Sequence, residues 1–202
     1  MTEATASPGI QQAAAALKSG KVVAYPTEAV FGLGCDPGDR AAFEHLLSLK
    51  QRPATQGVLL IAGDFEQLVP YIDMDKLPAD ALQRVQASWP GPHTWILPRA
   101  ASVPPWVTGT HAGIALRMTA HLPAAQLCRA FGGALVSTSA NIHGHPPARD
   151  AATARAMFGD ELAFVLDDPV GGLDRPTSIR DALTGAIIRE ATPTTVDSTQ
   201  IG

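Results

Sequence analysis

Lys21-Val22-Val23-Ala24-Tyr25 is a short apolar run that stops at Pro26-Thr27-Glu28, and Phe43, Leu46 and Leu47 follow at helical spacing within residues 39–50. Four consecutive apolar residues, Val22 to Tyr25, bounded by a polar loop read as a buried strand, and apolar side chains three and four apart read as one face of a helix. The same alternation continues outward. Residues 57–62 form a second apolar strand, Asp64 can cap a short helix, and Leu82, Val85 and Trp89 make a stripe on another helix that Pro90-Gly91-Pro92 ends. Residues 94–97 and 113–118 read as strands. In the latter, Ile114, Leu116 and Met118 share one face while Ala115 and Arg117 share the other. A helix over 123–131, a strand over 134–137, a helix over 150–158 and strands over 163–166 and 186–189 complete the pattern, which predicts an α/β fold.

The chain has 202 residues, 46% of them hydrophobic and 17% charged, enough to bury a substantial core as one domain. Residues 1–9 are expected as a flexible lead-in, 10–190 as the folded domain and 191–202 as a loose tail. The longest apolar runs fall far short of the roughly 20 residues a membrane helix needs, and residues 1–9 carry no basic stretch of the secretory kind. A cytoplasmic protein with no membrane partner is the expectation. Cys35 and Cys128 are far apart and have no Cys-x-x-Cys partner, so they read as small buried hydrophobes. A formal charge of −4 argues against a protein that coats nucleic acid by bulk electrostatics, although Lys50, Arg52, Arg117, Arg149 and Arg189 could converge into a local basic cleft.

Lys50-Gln51-Arg52 closes the 39–50 helix, and Arg52 cannot extend it because a residue before proline is pushed toward extended geometry. The ordinary explanation of two cations in a last turn is that they complement the helix dipole. The other is a phosphate clamp, since Arg offers a planar fork of donors and Lys a compact charge. Ser139-Ala140-Asn141 supplies two neutral hydrogen-bonding side chains at another element end. No Gly-x-x-x-x-Gly-Lys-Ser/Thr loop is present and Gly32-Leu33-Gly34 lacks the third glycine of a dinucleotide fingerprint, so side chains must hold any nucleotide. No Ser-His-Asp or Cys-His set is evident, and His143-Gly144-His145 without a third ligand reads as a solvent loop, so no metal ligands are assigned.

Several segments taken together are more specific. Residues 25–34 (Tyr-Pro-Thr-Glu-Ala-Val-Phe-Gly-Leu-Gly), Lys50-Gln51-Arg52-Pro53, Trp89-Pro90-Gly91-Pro92, Ala115-Leu116-Arg117, Ser137 through Asn141 and Pro176 through Asp181 stand in an order and spacing that resembles the YrdC/TsaC family of threonylcarbamoyl-AMP synthases, over about residues 10–190. The closer fit is to the short bacterial form; larger members append a second domain, and the minimal form is the expectation here.

That resemblance implies a single-domain, twisted, open mixed β-sheet flanked by helices with a concave basic cleft. It implies an enzyme in which the carbamate of threonine, made from bicarbonate or carbon dioxide, attacks the α-phosphorus of ATP. The reaction needs no protein nucleophile. By position, Lys50, Arg52, Ser139 and Asn141 form the catalytic and ATP-binding set, with Arg189 contacting the nucleotide. Thr27, Arg117, Ser137, Thr177 and Ser178 bind threonine, and Tyr25 could wall the cavity. The resemblance also implies Mg²⁺ with ATP, tRNA binding, and downstream tRNA threonylcarbamoyl-transferase proteins that take the product. Ala29 and Ile61 stand where other members carry polar residues, which leaves the fine contacts around threonine open. Two other classes are a non-catalytic RNA-binding module, which lacks an aromatic stacking motif here, and an enzyme that makes carbamoyl-adenylate, against which Arg117 with Ser137 suits an amino acid.

Overall fold

The computed structural model describes residues 6–53, 56–174 and 178–189. The first helix, α1 (Pro8–Lys18), begins within the expected lead-in: the Ser7 hydroxyl accepts the Ile10 N–H, Pro8 sits where its missing N–H is harmless, and Ile10, Ala13, Ala14 and Leu17 form a buried stripe. Residues 1–5 and the expected tail at 191–202 lie outside the described residues.

Among the described residues nine strands follow in one sheet: β1 (Val23–Pro26), β2 (Phe31–Gly34), β3 (Leu59–Ala62), β4 (Thr94–Pro98), β5 (Gly113–Met118), β6 (Leu135–Ser139), β7 (Phe164–Val165), β8 (Ile179–Asp181) and β9 (Ile187–Arg189). Their spatial order is β7-β1-β2-β6-β3-β5-β4-β8-β9, with parallel pairs at β1/β7, β3/β5 and β4/β8 and antiparallel pairs elsewhere. The mixed α/β sheet is as expected. The helices are α2 (Arg40–Lys50), α3 (Ala79–Gln86), α4 (Pro105–Thr108), α5 (Leu122–Phe131) and α6 (Ala151–Phe158), joined in places by short 3-10 turns.

The pleat sorts side chains between two cores. Leu33, Leu60, Val136, Leu116 and Trp95 face the larger one, which also takes Phe43, Leu46 and Leu47 of α2 and Ala81 and Val85 of α3. Val23, Tyr25, Ile61 and Leu135 face the smaller one under α1 and α5, where Ile10, Ala14, Leu17, Leu127 and Cys128 lie. Beyond the reach of those two helices the same sheet face turns small and polar: Gly32, Ser137, Ser139, Leu59, Ala115, Arg117 and Thr94 form an uncovered floor. Both cysteines are buried and free. No helix among the described residues is long and apolar enough to cross a membrane.

Sequence reading missed four of these elements. Residues 31–34 alternate Phe and Leu with two glycines, a weak strand signal that only cross-strand partners make good; β8 is three residues long; α4 is a single four-residue turn; and the buried stripe of α1 takes two of its four members from alanine. Gly34 explains why glycine stands in β2. A Cβ there would sit 2.6 Å from Tyr25 Cε1 and 2.8 Å from the Val136 carbonyl oxygen. Gly34→Ala is expected to cost about 1–3 kcal/mol of stability, read as a lower denaturant midpoint with an unchanged slope.

Candidate functional site

The cleft over the uncovered floor has a volume of about 230 Å³. Thr27 through Gly32 form one wall, Arg52 and Gly57–Leu59 another, and Pro92, Leu173 and Arg189 close its rim. Of the residues proposed from the sequence, Thr27, Arg52, Arg117, Ser137, Ser139 and Arg189 line it. Ser178 is half-buried just ahead of β8, whose Ile179 lines the floor; Thr177 lies outside the described residues.

Lys50 and Asn141 are brought together, and neither is among the residues lining the cleft. Helix α2 is capped at its start by Asp39, whose carboxylate accepts the Ala42 N–H at 3.0 Å, and it ends in a tight reversal at Gln51, whose φ is +50°. The Arg52 N–H returns to the Leu47 carbonyl and the Gln51 N–H to Ser48, a C-cap in which Gln takes the left-handed position usually held by glycine. The reversal sends the two cations different ways. Lys50, 4% exposed, donates from Nζ to the Ser139 carbonyl, to the Asn141 carbonyl at 3.0 Å and to Asn141 Oδ1 at 3.1 Å. The Ser139 hydroxyl donates to that same Oδ1 at 2.6 Å, and Asn141 Nδ2 donates to the carbonyls of Ile142 and His145. The loop after β6 is therefore built around the Lys50 charge. Burial, reinforced by Arg52, pulls the Lys50 ammonium down to about 8.

Arg52 reaches the cleft. Its NH2 donates to the Gly57 carbonyl at 2.7 Å and NH1 to Thr138 Oγ1 at 3.4 Å, while Nε is buried with no hydrogen-bond partner. Burial lowers its pKa and the nearby Arg189 charge lowers it further. Arg117 is held by Thr94, whose Oγ1 accepts from Nε at 3.1 Å and NH2 at 2.8 Å, and its NH1 lies 3.5 Å from Glu28 Oε2. Burial lowers the Arg117 pKa, Glu28 opposes that shift, and Arg189 adds to it. The Arg189 charge thus bears on both Arg52 and Arg117 at the same cleft, an arrangement suited to an anion.

The short hydroxyls differ in what they have left to offer. Thr27 Oγ1 donates to the Val30 carbonyl at 2.7 Å, closing its own turn, so toward the cleft it retains only acceptor capacity. Ser137 is nearly buried beside the Tyr25 phenol. Tyr25 itself is fully buried under α1 and α5 and does not line the cleft; burial pushes its phenol up. Ile61 is likewise core, whereas Ala29 does line the cleft. Sequence reasoning gave no role to Glu28, Thr94 or Thr119. Glu28 stands inside the quoted Pro-Thr-Glu segment and could have been singled out; the two threonines acquire their partners only through strand register.

The Sua5_yciO_yrdC family model, described as "Telomere recombination", matches residues 15–191. The chain belongs to this family. It is 55% identical over 191 residues to the threonylcarbamoyl-AMP synthase of Alkalilimnicola ehrlichii, covering 93% of this chain and 98% of that one. It is 50% identical over 184 residues to that of Xanthomonas campestris, covering 91% and 98%. Among solved structures, P. abyssi Sua5 complexed with L-threonine superposes with a TM-score of 0.79 at 31% identity over 85% of this chain and 50% of that one, so this chain spans about half the length of that protein. E. coli YciO, at 24% identity and a TM-score of 0.78 over 91% of this chain and 89% of that one, shares the fold.

Lys50 gives the family member a testable pH signature. Its folded pKa of about 8 lies below its ordinary 10.5, so between those values the unfolded chain binds a proton that the folded chain has released. Stability from this group therefore rises with pH across that window, by about 1 kcal/mol per pH unit. Denaturant unfolding at pH 7.5, 9 and 10 is expected to show that rise over and above the slope retained by Lys50→Met.

Proposed function

We propose that the chain is a threonylcarbamoyl-AMP synthase, which forms L-threonylcarbamoyladenylate and pyrophosphate from L-threonine, bicarbonate and ATP. What carries this reading is one cleft with cations and short hydroxyls on its floor, in a chain 55% identical to a threonylcarbamoyl-AMP synthase over nearly the whole of both. The L-threonine bound by the related P. abyssi protein supports an amino-acid substrate.

In this reading Arg117, fixed by Thr94, takes the threonine carboxylate, while Thr27 and Ser137 offer oxygens to its amine and hydroxyl. Ser178, just ahead of β8, would complete that end, and Thr177 is assigned to it by the family resemblance alone. Arg52, Ser139 and Arg189 take the triphosphate, and the orphaned Arg52 Nε is a donor in want of an acceptor. Lys50 and Asn141 serve by holding Ser139 in place, with the Lys50 charge adding to the potential of the cleft. The threonine nitrogen adds to the carbon of bicarbonate and water is lost. A carbamate oxygen then bonds to the α-phosphorus as the bond to the bridging oxygen breaks, and pyrophosphate leaves. Positioned cations neutralise the charge that develops.

Mg²⁺ fits this chain only as a companion of ATP. Among the described residues no three His, Cys, Asp or Glu side chains converge, and Glu28, the one carboxylate among those lining the cleft, is taken by Thr119 and Arg117. Phosphate and water oxygens would be its ligands. Through its product the enzyme would serve N6-threonylcarbamoyladenosine formation in tRNA, with a tRNA threonylcarbamoyl-transferase as the receiving partner and the cytoplasm as its place.

Purified protein with ATP and bicarbonate is expected to release pyrophosphate only when L-threonine is present, with a product of the mass of threonylcarbamoyladenylate. Intact ATP together with tight tRNA binding would favour the RNA-module reading instead. Arg52→Ala removes charged hydrogen bonds worth about 1.5 to 3 kcal/mol, so turnover is expected to fall roughly 10- to 100-fold with little change in melting temperature. Lys50→Ala is expected to lower turnover as much and to destabilise the fold as well, since it empties a buried cation site. Near-normal pyrophosphate release by both variants would remove the cation pair from the chemistry.

A further inference from the structure

Glu28 is a buried carboxylate that touches no reacting group in the reading above, yet the fold secures it from three sides. It lies in the turn between β1 and β2 and is 8% exposed. Its Oε1 accepts from Thr119 Oγ1 at 2.6 Å, and the Thr119 oxygen in turn accepts the His121 N–H at 3.1 Å. A hydroxyl has one proton, and with its oxygen already accepting from a backbone N–H, that proton is directed at Glu28. The backbone is pinned as well: the Gly171 N–H donates to the Thr27 carbonyl at 2.9 Å and the Leu173 N–H to the Glu28 carbonyl at 3.0 Å. The strap presses so close that a Cβ on Gly171 would stand 2.9 Å from Glu28 Cα and 3.1 Å from its carbonyl oxygen.

What this anchoring serves is Arg117. The Nε and NH2 of that guanidinium both bond to Thr94 Oγ1, which fixes one edge, and among the described residues the third nitrogen is settled by the contact of NH1 with Glu28 Oε2 at 3.5 Å. We propose that Glu28, held by Thr119 and by the strap at Gly171, is a positioning residue that sets the aim of the Arg117 guanidinium and so determines affinity for the amino-acid substrate. The inference rests on the synthase reading and on Arg117 as the carboxylate receptor. Thr119 never meets Arg117 in this scheme and acts only through Glu28, which separates aim from simple charge.

The test is the threonine KM, the ATP KM and kcat for wild type and for Glu28→Gln, Thr119→Val, Thr119→Ser and Gly171→Ala, each first shown by thermal melting to be folded. Glu28→Gln, Thr119→Val and Gly171→Ala are expected to raise the threonine KM about tenfold or more while kcat and the ATP KM stay within about twofold. Thr119→Ser, which keeps the hydroxyl, is expected to restore the wild-type threonine KM, and Glu28→Gln/Thr119→Val is expected to be no worse than the poorer single variant. A threonine KM unchanged in Glu28→Gln or in Thr119→Val, or kcat and both KM values moving together, overturns the proposal while the synthase reading stands. A wild type without threonine-dependent pyrophosphate release overturns both.

Discussion

The Lys50 ammonium is the charge around which the functional end of this fold is arranged. Burying an ammonium away from water is costly unless oxygen atoms replace its hydration. Among the described residues no carboxylate pairs with it; the carbonyls of Ser139 and Asn141 and the Asn141 amide oxygen do that work instead. Those oxygens belong to the loop that leaves β6, so solvating the cation and shaping the loop are one event. The Lys50 carbonyl completes the link by accepting the His143 N–H at 3.0 Å. The end of α2 and the end of β6, some ninety residues apart in the chain, are locked together, and Ser139 is left facing the cleft.

The floor follows from a second constraint, the reach of α1 and α5. These helices cover the sheet face where it presents Val23, Tyr25, Ile61 and Leu135, and the hydrophobic contact ends where the residues turn to Gly32, Ser137 and Arg117. A helix layer that stops part-way across a sheet leaves a concavity whose base is rigid, because the strands beneath it are still buried on their other face. Polar groups on such a base are set by strand register: Thr94 and Arg117 meet because β4 and β5 run antiparallel with Trp95 opposite Leu116.

Several residues that read as functional have structural duties as well. Thr27 closes its own turn, Asn141 holds its loop with both ends of its amide, and the Trp89 and Trp95 indoles donate to the His93 carbonyl and Ser88 hydroxyl near the Pro92 rim. A cleft that holds charge needs its donors and acceptors already satisfied or already aimed, and here the same atoms do both.

From the sequence alone the α/β alternation, the end of α2 at Lys50, the outward face of Arg117 and the burial of both cysteines were legible, because each depends on local spacing or on a few neighbouring residues. The family resemblance marked six residues that now line one cleft. Three matters required the tertiary structure. Lys50 and Asn141 bond to each other without lining the cleft and Tyr25 lies in the core, because the docking of the loop after β6 on the end of α2 and the α1/α5 layer decide where those side chains go. Strand β2 exists only because β1 and β6 flank it, since its glycines carry little strand preference of their own. The Thr119-Glu28-Arg117-Thr94 chain joins four positions by hydrogen bonds across strands and a turn, and no local pattern encodes contacts between residues that only the sheet brings together.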